Sequence, residues 1–299
     1  YDFARRVDRT KLNKRTVEAL IKAGAFDCLD LNRASLLASV DRSFDFASAN
    51  EANANQGGLF DMGDDTHGSS LQEPDLVSAL PWGVKERLTH EKSALGFYLS
   101  GHLFDEVDRE VRHFVKTRID DLMDSRDAQL LTGIVSDMKT INGQRGRLAI
   151  FKLDDKSGVI EATVDEATMN TYRHLLREDE LVIVMGKVQN DRFSGGLRLS
   201  INQVWDLNQA RCRFGKYLRV AVNGTVPDIA RIVREHPARV EATEQGNLVR
   251  GLSVRLQVLR EGANAEIELG DNAKFFPSDA ALASWIAQAH QGQVQIIYE

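Results

Sequence analysis

A chain of 299 residues, 42% hydrophobic and 27% charged, has the make-up of a soluble globular protein with room for two or three domains. No apolar run approaches the roughly 18 residues that span a bilayer, and no basic-then-apolar leader opens the chain. The only two cysteines, Cys28 and Cys212, stand far apart without Cys or His neighbours at ligand spacing, which argues against a disulfide framework or zinc site and fits a reducing cytoplasm.

The first residue is Tyr1 rather than Met, inside a helix-like stretch, so the chain reads as a fragment. A net charge of −6 does not mark a nucleic-acid binder in bulk, but the charge is unevenly placed. Residues 1–24 carry seven cations, Lys14 and Arg15 among them, against three carboxylates; residues 47–75 carry six carboxylates and no cation. Residues 139–152 hold Lys139, Arg145, Arg147 and Lys152 with no acidic neighbour.

In chain order, residues 1–46 read as helical, with Leu12, Val17, Leu20 and Ile21 at helical spacing, Gly24 as a stop, and a second helix over 33–46. A solvated basic face and a DNA-contacting one both fit this stretch. Residues 47–80 are dominated by Ala, Asn, Gly, Ser and Asp and read as a flexible linker. Within it, Leu59-Phe60 is an apolar island with nothing local to pack on, the mark of a docking peptide. Residues 81–126 form a connector that reads as helix over 84–118, broken near Gly101.

Residues 127–207 give the clearest pattern: strands over 130–140, 147–153 and 159–164, a helix over 166–176, then strands over 181–188 and 197–205. Asn142-Gly143 reads as the first turn. Five short strands with a helix between the third and fourth is the plan of an OB-fold, a small barrel that takes single strands across strands two and three. Its first gripping loop would run from Lys139 to Arg147, and its second would carry Arg192 and Phe193 at the tip. Cations there would track phosphates and aromatic rings would stack on bases. Phe151 beside Lys152 is a candidate platform, with barrel core as the other reading of the same ring. Residues 212–299 then read strand, helix, two strands, helix, strand, with Ser278 as N-cap of the last helix: a separate two-layer α+β domain. The fold class is therefore multidomain α+β, helical at the N-terminus, a barrel at the centre, and a small α+β domain at the end.

No catalytic constellation emerges. Asp61, Asp64 and Asp65 miss the calcium-loop spacing, Asp154-Asp155 sits where aspartates shape turns, and no nucleophile elbow, phosphate-cradling glycine loop with Lys, or His-Glu-x-x-His is present.

Several stretches resemble one family. Residues 2–9, Leu12-Asn13-Lys14-Arg15 and residues 20–27 are similar to the helix-hairpin-helix region of bacterial DNA polymerase III alpha subunits, which touches duplex DNA. Glu91-Lys92 with residues 95–102 resembles that family's signature before its OB domain, with Leu103 where the family usually has proline. Residues 153–158 and 193–197 resemble its OB strands. The resemblance is strong over residues 1–207 and weaker beyond. It implies that Gln56, Leu59 and Phe60 form a Gln-x-x-Leu-Phe sliding-clamp peptide, that the barrel holds single-stranded and primer-template DNA, and that residues after about 212 bind the tau subunit of the clamp loader. It implies no catalytic residue or cofactor in this stretch, the parent enzyme's magnesium-binding palm carboxylates being expected upstream. An error-prone paralogue of the family and a free-standing OB-fold RNA binder stand as the alternatives; a hydrolase with an OB accessory domain would need a catalytic cluster.

Overall fold

The computed structural model describes the chain except residues 9–10, 58–71, 144–145, 192–194, 244–245, 261 and 299, and the side chains of 54–57, 143, 242–243 and 246–247. The chain divides into two compact units, residues 1–103 and 104–299.

In the first unit, α1 (Asp2–Arg6), α2 (Lys14–Lys22), α3 (Arg33–Ala38) and α4 (Val40–Gly57) pack around Val17, Ile21, Val40 and Phe44, and α5 (Val84–Leu95) lies against α2. Asn13 and Asn32 cap α2 and α3 by accepting from the amides of Thr16 and Ser35, a short polar side chain replacing the missing helical acceptor. The helix expected over 33–46 is two helices broken at Ser39, and the second runs on to Gly57. Alanine at 47, 49, 52 and 54 explains the extension: a composition too polar for a core still favours helix. Residues 72–83 lie extended but tethered. Ser39 Oγ accepts from Val77 N at 2.8 Å, Ser35 Oγ from Ala79 N at 3.1 Å, and Asn32 Nδ2 donates to Ala79 O at 2.8 Å.

The signature around Glu91 is a structural knot. Its carboxylate is fully buried and accepts from Arg33 Nη1 and from the backbone amides of Leu99 and Ser100, each at 2.8 Å. Those bonds fold the chain back after α5, so the helix expected to continue toward 118 ends at Leu95. Arg33 is also held by Asp27, at 2.6 and 2.7 Å, and passes beneath Gly24. Gly24 has φ +85°, and a Cβ there would stand 2.3 Å from Arg33 Nη2. Only glycine serves at that position.

In the second unit, α6 (Asp108–Val111) precedes the barrel. Strands β1 (Ala128–Gly143), β2 (Gly146–Asp154) and β3 (Val159–Asp165), helix α7 (Glu166–Tyr172), and strands β4 (Leu181–Asn190) and β5 (Leu197–Trp205) close in the order β1-β2-β3-β5-β4, with β3 and β5 parallel. The expected turn at Asn142-Gly143 lies instead within β1, since Asn142 pairs with Arg147 and Gly143 with Gly146. Alternate residues fill the barrel: Ala149, Phe151 and Leu153 from β2, Ile160, Ala162 and Val164 from β3. Gly186 lets β5 approach β4, because a Cβ would meet Ser200 O at 2.4 Å.

Helix α8 (Leu207–Phe214), closed by a capping box between Asp206 and Gln209, leads into the last domain. There β6 (Gly215–Val222), α9 (Ile229–Glu235), a hairpin of β7 (Arg239–Thr243) and β8 (Gly246–Arg250), β9 (Ser253–Arg260), β10 (Ala263–Leu269), α10 (Asp279–Gln288) and β11 (Val294–Tyr298) follow in turn. The sheet order is β10-β9-β6-β11, with β6 and β9 parallel. Ser278 caps α10 as expected, its Oγ accepting from Ala281 N at 3.2 Å. Trp285 and Phe275 sit fully buried in this domain's core.

Candidate nucleic-acid interface

The outer face of β1, β2 and β3 follows from strand parity. With Phe151 facing inward, its neighbours Ile150 and Lys152 face outward, and pairing places Lys139 opposite Ile150, Ile141 opposite Leu148, and Glu161 opposite Lys152. The face is an aliphatic strip of Ile141, Leu148 and Ile150 flanked by two lysines. A β-bulge between Ser136 and Lys139, with Asp137 at φ +54°, bends β1 over it. Glu178 fixes the bulge by accepting from the amides of Asp137 and Met138 at 3.0 and 3.4 Å.

The two lysines differ. Lys152 Nζ lies 2.7 Å from Asp137 Oδ2, and that hydrogen bond holds its ammonium above the usual lysine range. Lys139 is exposed and has no ion-pair partner among the described residues. Lys152 stands on β2 as expected, and Lys139 lies within β1, which runs on past it to Gly143 rather than opening a loop there. Arg198 of β5, which the sequence reading passed over, is engaged by Glu161 and by Asp191, the latter at 2.9 Å. The β3 side of the face is thus balanced in charge, and among the described residues an unpaired cation lies on its β1 side.

Phe151 is a correction. Only 1% exposed and packed in the barrel core, it offers no ring to a base, because its parity matches Ala149 and Leu153. Turning it outward would empty a core site at about 3–5 kcal/mol. Arg145, Arg192, Phe193, Leu59 and Phe60, with the side chain of Gln56, lie outside the described residues. Arg147 is exposed at the barrel's open end, on the inward parity beyond Ala149. In the first unit, Lys14 is drawn to Asp41 at 2.6 Å, which raises its pKa, while Arg15 is exposed.

Asp155 works for the fold. Buried at the β2–β3 turn, it accepts from Arg112 Nη2 at 2.7 Å, Ile119 N at 3.2 Å and Ser157 N at 3.1 Å. Burial alone would raise its pKa; the Ser157 and Arg112 bonds outweigh that and hold it below the usual carboxylate range. Among the described residues no three His, Cys, Asp or Glu side chains gather as metal ligands do, and no helix is long and apolar enough to cross a membrane.

A closed five-stranded barrel in this strand order, with a helix between the third and fourth strands, defines an OB-fold protein. Residues 130–207 match the family described as OB-fold nucleic acid binding domain, and residues 1–36 match a helix-hairpin-helix motif. The DNA polymerase III subunit alpha of Neisseria meningitidis serogroup B is 41% identical over 235 residues, covering 78% of this chain and 20% of that one. The subunit alpha of Escherichia coli O157:H7 is 30% identical over 308 residues, covering 100% of this chain and 26% of that one. Among solved structures, the second OB-fold domain of replication protein A from Methanococcus maripaludis is 19% identical, with a TM-score of 0.25, over 30% of this chain and 93% of that one. The chain belongs to the DNA polymerase III subunit alpha family, and it spans 20% to 26% of the length of these two relatives.

Proposed function

We propose that this chain is a DNA-gripping portion of a replicative polymerase, which holds single-stranded template while the parent enzyme's magnesium-dependent site, outside this stretch, joins nucleotides. The carrying observation is the outer face of β1–β3: aliphatic Ile141, Leu148 and Ile150 suit the faces of unstacked bases, and Lys139, without an ion-pair partner among the described residues, stands beside them for a phosphate. Each cation that neutralises a phosphate adds about 0.7 to the salt slope of single-strand affinity. Anisotropy of labelled oligo(dT) is therefore expected to show Lys139→Ala binding about fivefold more weakly at 0.1 M salt, with a slope lower by ~0.7. Absence of binding by the unaltered chain at low salt sinks the reading.

Clamp tethering is a second part of the proposal, supported by the Gln56, Leu59 and Phe60 pattern in a polar stretch. Leu59 and Phe60 would fill an apolar pocket on the sliding clamp, and the Gln56 amide would bond at its rim. Tethering raises the effective concentration of polymerase at the primer end. Micromolar binding to a bacterial clamp, lost when Gln56, Leu59 and Phe60 are all changed to alanine, is the expected result. Equal binding by both forms would leave the error-prone paralogue as the better account. The domain formed by residues 212–299 is proposed to dock the tau subunit of the clamp loader.

A further inference from the structure

The barrel's open end holds a second basic feature, distinct from the outer face. Where β1 and β2 run past the point at which the barrel closes, their inward-parity residues Met138, Thr140, Arg147 and Ala149 face α7 and the turn after it across a cleft of about 700 Å³. Met138, Ala149, Met169 and Leu176 make its floor; Arg147, Arg173, Arg177 and His174 supply its rim. No carboxylate lines it, and none of the three arginines has an ion-pair partner among the described residues. Other cations of the same unit, Arg112, Lys152, Arg198 and Arg211, are paired at 2.5–2.9 Å. Cations gathered around one concavity repel each other, and low-dielectric walls focus their field on whatever enters.

The walls are also fixed in place. Glu166, the first residue of α7, accepts from Arg147 N at 3.2 Å, bonding helix to hairpin, and Asp165 caps that helix through Thr168 N at 2.8 Å. Glu178 braces the bulge behind Met138. Both glutamates are thereby spent on backbone amides at the cleft's edges, and neither lines it.

We infer that this cleft is a phosphodiester site, in which Arg147, Arg173 and Arg177 hold the backbone of a nucleic-acid strand that leaves the outer face around the end of the β1–β2 hairpin. The inference rests on the single-strand reading and extends the strand's path beyond β1–β3. Guanidinium suits the task, since its planar fork meets two phosphate oxygens at once. The apolar floor matches a sugar or base edge lying below the charged rim.

The test compares the full 299-residue chain with Arg173→Ala/Arg177→Ala, a change at two exposed side chains. Oligo(dT) affinity is expected to fall about 20-fold at 0.1 M salt, with the salt slope lower by roughly 1.4, two phosphate contacts being lost. Arginine-selective dicarbonyl labelling read by mass spectrometry should show Arg173 and Arg177 protected by bound oligonucleotide in the unaltered chain. If the double variant keeps affinity and slope while Lys139→Ala lowers both, the cleft assignment falls and the outer-face reading stands. If the unaltered chain binds no oligonucleotide, both fall together.

Discussion

Replacing Glu91 by alanine is expected to cost the first unit about 3–5 kcal/mol, a large share of any small domain's stability. The side chain is fully buried, so the loss is not that of a surface ion pair. It leaves Arg33, itself 8% exposed, with the Asp27 carboxylate and the Lys22 carbonyl as its remaining acceptors, and it strips acceptors from the amides of Leu99 and Ser100. Burial pushes the Glu91 carboxyl up, but the Ser100, Arg33 and Leu99 bonds win and hold its pKa at about 2 against 4.5. The sign of the linkage follows. A depressed carboxylate contributes stability that is complete above pH ~4.5 and is lost as pH falls toward 2, about 3 kcal/mol at 1.4 kcal/mol per unit. The gap between the unaltered chain and Glu91→Gln should therefore narrow with acid across that window. Hydrogen exchange at the Leu99 and Ser100 amides gives a local readout. Unchanged protection in both variants would show that the knot contributes nothing.

This knot marks where the sequence stopped being informative. Alternation made the barrel legible: Leu197, Leu199 and Ile201 set against Arg198, Ser200 and Asn202 placed β5 as it stands, residues 197–205. The same parity, carried back from Leu153, assigns Phe151 to the interior, so its candidacy as a platform was open to refusal from sequence. Asn142-Gly143 has the look of a turn and sets the first strand's end near Thr140, whereas β1 stays paired as far as Gly143 and keeps Lys139 well inside it. Helix α8 went unread although Asp206 and Gln209 stand at capping-box spacing, because few apolar residues follow them. The β7–β8 hairpin, whose Val240 and Val249 are exposed, carries too little alternation to register. Buried charges are harder still. Arg33 meets Glu91 across 58 positions and Arg211 meets Glu110 across 101, and nothing local separates such residues from solvated ones. The cleft has the same character: Arg147 opens the second strand while Arg173 and Arg177 stand at and beyond the end of the helix after the third, and nothing in the sequence sets them around one concavity.

Arg211 carries the other large expected effect. Only 4% exposed, it grips both Glu110 oxygens at 2.7 and 2.8 Å, and its Nη1 reaches Asp279 at 2.7 Å and Pro277 O at 3.1 Å. Tyr298 closes the set by donating to Glu110 Oε1 at 2.7 Å. One guanidinium thus joins α6 before the barrel, α8 after it, the start of α10 and the end of β11. Burial and the Glu110 charge both push the Tyr298 phenol up, keeping it a donor throughout the accessible pH range. Arg211→Met leaves the half-buried Glu110 carboxylate without its counter-charge and is expected to cost about 3 kcal/mol. Arg211→Lys should lose nearly as much, since one ammonium cannot reproduce a two-pronged grip with a third branch. Adding Glu110→Leu to Arg211→Met removes the stranded charge, so the double variant should recover most of the loss. Urea unfolding followed through the fully buried Trp285 reports the result. Additive losses in the double variant would refute the charge argument and leave packing as the cause. Recovery would mean that the pair joins the final domain to the barrel by specific geometry rather than by net stability.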